Sequence, residues 1–264
     1  MIITYNILYQ ITKFSPLPTI VHHIFTIPET KMSQAQGKLR FAVVCASNMN
    51  RSMEAHNFLS KKGYNIQSYG TGHMIKIPGK SEREPNAYPF GTTYDFIFED
   101  LKNKDLELYT KNGMLHIMER NRRIKVSGPG CAKLIHNYKL FYFQSGPEKF
   151  QDCPKEFEII LTVEEKVYDQ VLECFNSRDS VTETPVHVIN MNVVDNPEDA
   201  TIGAFLLCEL AQLLTKRYIA PTPRHHVNDK IACFSDDLDN DIDDIIQEFE
   251  GKCEREVLHT VLFY

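Results

Sequence analysis

The chain has 264 residues, 42% hydrophobic and 24% charged, the balance of a globular protein with room for one substantial core. A formal charge of -6 argues against a broad basic surface for nucleic-acid backbone, and no stretch approaches the roughly 20 apolar residues that span a membrane. The seven cysteines, at 45, 131, 153, 174, 208, 233 and 253, are odd in number and hold no C-x-x-C pair, which favours free thiols in a reducing compartment.

Residues 1–31 are apolar but broken by Lys13, Pro16, Pro18 and Pro28, without the basic start of a signal peptide. Met32 reads as the ordinary start, and residues 1–38 as an N-terminal extension expected to be poorly ordered and to carry no assigned function. From Leu39 a pattern of strand, loop and helix repeats. Phe41 to Cys45 is a continuous apolar run, as in a strand buried on both faces of a parallel sheet. Arg51 to Lys62 predicts a helix with Ala55, Phe58 and Leu59 on one side and Gly63 closing it. Ile66 to Tyr69 fits the next strand, and Tyr94 to Lys104 and Leu106 to Met118 carry looser helical patterns.

Phe157 to Thr162 predicts another strand, running into a capping box at Thr162-Val-Glu-Glu165 with Val163, Val167, Val171 and Phe175 at helical spacing. Val186 to Asn190 is a further strand. A long helix follows, with Asn196 as cap, Pro197 at its first position and a buried stripe of Ile202, Phe205, Leu206, Leu210, Leu213 and Leu214. Ile242, Ile245, Ile246 and Phe249 mark a last amphipathic helix, and Leu258 to Tyr264 a closing strand. The acidic run Asp236 to Asp244 reads as a solvated face. The alternation predicts an α/β fold, a three-layer sandwich with a mostly parallel sheet flanked by helices, spanning 39–264. Two Pro- or Gly-containing stretches, near 126–146 and 217–236, read as loop insertions within that domain.

The segment from Cys45 to Ser52 carries the chemistry. A cysteine ends a buried strand, and an arginine six positions on begins a helix. Backbone N–H groups of Ala46, Ser47, Asn48, Met49 and Asn50, with Arg51 and Ser52, can curl into an anion cradle at the helix N-terminus. Arg51 offers a planar fork for two phosphate oxygens, and the same positive field favours the nucleophilic thiolate of Cys45. The competing reading is a small buried cysteine that merely ends a strand. Gly79-Lys80-Ser81 imitates the end of a Walker A loop but lacks its first glycine, since position 74 is Met74. No cluster has metal-ligand spacing.

Cys45-Ala-Ser-Asn-Met-Asn-Arg51-Ser-Met-Glu-Ala-His-Asn57, Tyr69-Gly-Thr-Gly72 and Lys76-Ile-Pro-Gly79 resemble the Ssu72 family of RNA polymerase II C-terminal-domain phosphatases. So do Glu107 to Gly113, Glu165 to Val171, Gly203 to Glu209 and the ending Leu258 to Tyr264. The resemblance implies a fold like the low-molecular-weight tyrosine phosphatases and no metal or other cofactor. It implies removal of phosphate from the fifth-position serine of the polymerase heptad, with the following proline bond in cis. It also implies a nuclear role in transcription and mRNA 3′-end processing, with symplekin and the cleavage and polyadenylation machinery as partners, and no direct contact with nucleic acid or membrane. Residue by residue, Cys45 matches the nucleophile, Arg51 the phosphate-binding arginine, Asn48 the loop-steadying residue, Ser52 the hydroxyl supporting the thiolate and Asp195 the general acid. On the residues alone Asp195 serves equally well as a charge favouring the dipole of the next helix. Ala46 and Asn192 depart from the serine and the acidic residue expected in close relatives. Two other functions compete: a phosphopeptide-binding scaffold with dispensable catalysis, and an arsenate reductase, which needs further thiols near the loop.

Overall fold

The computed structural model describes residues 39–81, 83–127, 146–219 and 235–264. Strand β1 (Arg40–Cys45) is the apolar run of the sequence, and its burial on both faces follows from its place inside the sheet. It pairs in parallel with β2 (Asn65–Gly70) on one side and β5 (Ile159–Thr162) on the other. β6 (Pro185–Met191) continues the parallel set, and β7 (Val257–Phe263) closes it antiparallel, giving the order β2-β1-β5-β6-β7.

Alternate side chains of β1 enter two different cores. Phe41, Val43 and Cys45 face helices α1 (Arg51–Lys61), α5 (Pro197–Ile219) and α6 (Ser235–Cys253). Ala42 and Val44 face α4 (Glu165–Asn176) together with Tyr69, Phe150 and Phe157. This period of two, with helices on both faces, makes the three layers. A third core lies outside the sandwich. There α2 (Tyr94–Lys111), α3 (Met114–Ser127) and a small hairpin, β3 (Ile75–Ile77) with β4 (Asn86–Tyr88), enclose Met49 and Met53 beneath the end of β1.

Local chemistry explains most boundaries. Gly63, at φ 83°, follows α1, and the amides of Gly63 and Tyr64 close back on the carbonyls of Ser60 and Leu59, a Schellman ending. Asn196 Oδ1 accepts from the Asp199 amide at 2.7 Å, so the predicted cap of α5 forms. The predicted capping box at Thr162 does not. Thr162 is still strand, its hydroxyl bonds Asn190 Oδ1 at 2.9 Å, and the Glu165 amide is capped instead by Asn192 Oδ1 at 2.9 Å. Val163 therefore belongs to the sheet-side core and not to the helix stripe.

The predicted break between the helices at 104–106 is present as a kink within α2: Asp105 is non-helical (φ -166°, ψ 91°), and its Oδ1 accepts from the Leu108 amide at 3.0 Å, capping the second segment. That segment does not run on to Met118 as predicted, because a further separation falls at Gly113 with φ 78°. On α5 the stripe is wider than predicted: Leu207 and Cys208 are buried as well, and Ile202 and Leu213 only partly, because the helix lies between α1, α6 and the sheet. The extension 1–38 lies outside the described residues, as do 128–145 and 220–234 of the two insertions, whose remaining ends belong to α3, α5, α6 and the turn at Gly146.

Candidate active site

β1 and β5 are neighbours whose following helices, α1 and α4, go to opposite faces of the sheet. A parallel sheet opens a crevice at such a switch point, beyond the carboxyl ends of its strands. Cys45 ends β1, Glu164 follows β5 and Asp195 follows β6, so the connectivity alone delivers all three to one rim.

The loop from Cys45 to Arg51 is shaped by what its carbonyls bind. The Cys45 and Ala46 carbonyls accept from the amides of Thr71 at 3.1 Å and Gly72 at 2.9 Å. The Asn48 carbonyl accepts from the Tyr94 hydroxyl at 2.8 Å, and that of Met49 from Asn121 Nδ2 at 2.8 Å and Arg120 at 3.1 Å. The Asn50 carbonyl accepts from the Glu54 amide at 2.9 Å and Arg120 at 3.3 Å. Across a trans peptide the following N–H points the opposite way. Drawing the carbonyls of Ala46, Asn48, Met49 and Asn50 outward therefore turns the next amides, those of Ser47, Met49, Asn50 and Arg51, toward the inside of the loop.

Glycine is required where the backbone supports this loop. A Cβ on Gly70 would stand 2.9 Å from the Ala46 carbonyl oxygen and 3.0 Å from the Asn48 nitrogen, and one on Gly72 would also stand 2.9 Å from that oxygen. Asn48 occupies the left-handed region at φ 53°, which asparagine tolerates better than other side chains. Fully buried, it donates its own amide to Cys45 Sγ at 3.2 Å and its Nδ2 to Ser52 Oγ at 3.0 Å, while Oδ1 accepts from the Glu148 amide at 3.1 Å. Ser52 Oγ lies 3.1 Å from Cys45 Sγ.

Arg51 is buried and its Nη1 is anchored on the Val193 carbonyl at 2.9 Å, with that of Val163 at 3.4 Å. Its Nη2 meets Glu164 Oε2 at 2.6 Å and Asp195 Oδ2 at 3.4 Å. Burial pulls the guanidinium pKa down, but Asp195, Cys45 and Glu164 outweigh it and leave the pKa above the ordinary arginine value. Arg51 Nε is buried with no hydrogen-bond partner among the described residues, a donor left unsatisfied. Asp195 is 58% exposed, so it sits at the mouth of the loop. Ala46 contributes only backbone here, and the Ser47 hydroxyl accepts from the Lys76 amide at 3.4 Å.

Several supporting residues lie far from the motif in sequence. Glu164, Tyr94, Asn121 and Arg120, which is largely buried and paired with Glu54 of α1, reach the loop only through the fold. Burial pulls the Arg120 pKa below its ordinary value against the opposing pull of Glu54. No local pattern marks them; a buried arginine on a helix is the one signal, and it is visible only once α3 is placed. Among the described residues no three His, Cys, Asp or Glu side chains are grouped to hold a metal ion, and no helix is long and apolar enough to cross a membrane.

A thiol at the switch point of an α/β sheet, ringed by inward amides and a buried arginine, defines the class of α/β proteins with a cysteine–arginine anion loop. The profile of the family described as Ssu72-like protein matches residues 39–264, and the chain belongs to the Ssu72 family. It is 48% identical over 226 residues to the RNA polymerase II C-terminal domain phosphatases SSU72 of Gallus gallus and Homo sapiens, covering 86% of this chain and 97% of each relative. The Caenorhabditis elegans phosphatase of the same kind is 44% identical over 229 residues, 86% of this chain and 98% of its own. A solved Drosophila melanogaster Ssu72, in complex with symplekin and a cis peptidomimetic of the phosphorylated C-terminal domain, superposes with a TM-score of 0.70 at 47% identity, over 86% of this chain and 100% of that one.

Proposed function

We propose that this chain is a cysteine-dependent protein serine phosphatase. Its substrate is the fifth-position phosphoserine of the RNA polymerase II C-terminal-domain heptad, taken with the following proline bond in cis. The observation that carries the reading is the convergence of Cys45 Sγ, the inward amides, Arg51 and Asp195 on one rim. The names of the relatives, and the peptide mimic and symplekin bound to the fly protein, supply the substrate and the partner. The site of action is accordingly the nucleus, in transcription and mRNA 3′-end processing.

In the first step Cys45 Sγ attacks phosphorus. An S–P bond forms, the P–O bond to serine breaks, and its electron pair leaves on the serine oxygen, which takes a proton from Asp195. The loop amides and Arg51 hold the equatorial oxygens through the transition state. In the second step water attacks the phosphocysteine, Asp195 takes its proton, and the electron pair of the S–P bond returns to Sγ. A serine alkoxide is a poor leaving group, so the proton from Asp195 is worth about 10² to 10⁴ in rate.

The test is phosphate release from a heptad phosphopeptide. Wild type releases phosphate and vanadate blocks it; Cys45→Ser abolishes release, and Asp195→Asn slows it by about 10² or more. Unchanged release by Cys45→Ser sinks the thiol mechanism, and a folded wild-type protein that binds the peptide without releasing phosphate is a scaffold.

A further inference from the structure

The two carboxylate oxygens of Asp195 are engaged differently: Oδ1 accepts a hydrogen bond, and Oδ2 has only an ion-pair contact. Asn50 Nδ2 donates to Oδ1 at 3.1 Å, and Arg51 Nη2 stands 3.4 Å from Oδ2. The two oxygens are thereby made unequal. An oxygen that already accepts from an amide N–H has one of its lone pairs taken, which disfavours a proton there. Oδ2, which no hydrogen bond engages among the described residues, is the oxygen left to carry one.

The other end of the Asn50 amide shows how firmly the orientation is set. Asn50 Oδ1 is buried with no hydrogen-bond partner among the described residues, so the side chain leaves its acceptor unsatisfied while its donor is committed to Asp195. A buried unsatisfied carbonyl costs about 1 to 3 kcal/mol, and such a group is kept where a function holds it. The backbone of Asn50 is held independently, through its carbonyl to the Glu54 amide and Arg120, so the side chain is not needed to shape the loop.

We propose that Asn50 is the positioning residue for Asp195: its amide engages Oδ1 so that the proton delivered to the leaving serine oxygen sits on Oδ2. This rests on the general-acid reading of Asp195. In the transfer the Oδ2–H bond breaks, the serine O–H bond forms as the P–O bond breaks, and the carboxylate left behind keeps the Asn50 hydrogen bond on Oδ1 and regains Arg51 on Oδ2.

The readout is leaving-group dependence. An aryl phosphate such as p-nitrophenyl phosphate expels an oxygen that needs no proton, whereas a phosphoserine peptide needs one. Asn50→Ala is expected to slow kcat on the peptide about tenfold more than kcat on the aryl phosphate. In the Asp195→Asn background the same change adds no further selective loss. Activity on the aryl phosphate reports that each variant is folded and its loop intact, and Asn50→Ser, which keeps a donor at that position, restores part of the selective loss. Equal losses on both substrates, or selective losses that multiply in the double variant, overturn the positioning role. If Asp195→Asn alone slows both substrates equally, the general-acid reading itself fails, an outcome distinct from the failure of Asn50 alone.

Discussion

At the scale of single residues the thiol is governed by a hydroxyl. Ser52 Oγ accepts from Asn48 Nδ2 at 3.0 Å and lies 3.1 Å from Cys45 Sγ, and a thiolate can only accept, so the hydroxyl proton turns to sulfur. That hydrogen bond strengthens as negative charge returns to sulfur, the event of the second step. Ser52→Ala should therefore slow hydrolysis of the phosphocysteine by about 10² while the first step is less affected, in line with the loss of one preorganised donor. Rapid quenching followed by intact mass measurement should show phosphoenzyme accumulating in the variant; absence of accumulation removes Ser52 from the second step. Asn192 teaches the opposite lesson. In the acid's place it caps α4 through the Glu165 amide, and its Oδ1 is also met by Asn190 Nδ2 at 3.2 Å, so it is occupied in structure and not aimed at the thiol.

At the scale of elements the loop is only as good as the strand end beside it. Gly70→Ala puts a Cβ against two backbone atoms that cannot move without moving the loop, and should destabilise by about 1 to 3 kcal/mol while cutting phosphatase activity further than that stability loss accounts for. Gly113→Ala is the control: its Cβ meets nothing within 4 Å, and the strain of φ 78° should cost about 1 kcal/mol with activity kept. Denaturant melts read beside peptide turnover separate the two, and equal behaviour of both variants contradicts the packing argument. The same elements show what the sequence makes legible. Strands β1, β5, β6 and β7 and helices α1 and α5 are read directly, because continuous apolar runs, Gly63 and the Asn196–Pro197 pair are local signals. The β3–β4 hairpin is not, since three residues per strand and one exposed Lys76 between two buried isoleucines leave too short a period to see. The capping box at Thr162 fails for a related reason: a cross-strand partner, Asn190, takes the threonine hydroxyl in preference to the local helix. The loop residues Cys45 to Ser52 stand out by spacing, whereas Glu164, Arg120 and Asn121 are contacts made at sequence distances of 70 residues or more.

At the scale of the whole molecule the anion loop is the joint where all three cores meet. Cys45 belongs to one, the neighbouring Ala46 packs on the second, and Met49 and Met53 belong to the third, formed with α2, α3 and the hairpin. The third core alone supplies Tyr94, Arg120 and Asn121 to the loop carbonyls, so loosening it disturbs the site without touching the sheet.

Its hairpin is tied to α2 by Tyr88, whose hydroxyl donates to Asp100 Oδ2, with Lys104 Nζ 2.6 Å from the same oxygen. Hydrogen bonds from Lys104 and then from Tyr88 hold the Asp100 carboxyl below its ordinary value of 3.8, against a weaker opposing effect of burial. A carboxylate depressed on folding stabilises the folded state above its unfolded pKa, and that contribution is lost as pH falls through the depressed folded value. The hairpin should accordingly loosen in acid ahead of the central sheet. Hydrogen exchange, corrected for intrinsic rates, should show β3 and β4 amides losing protection relative to β5 and β6 between about pH 5 and about pH 3. Asp100→Asn keeps an acceptor for Tyr88 but cannot titrate, so in that variant the acid-dependent difference should vanish. If the variant loosens over the same range, the acid sensitivity of the third core lies elsewhere than in this triad. If it does not, the carboxyl of Asp100 is what couples pH to the support of the loop, through a hairpin that touches α2 and an α2 that holds the Asn48 carbonyl.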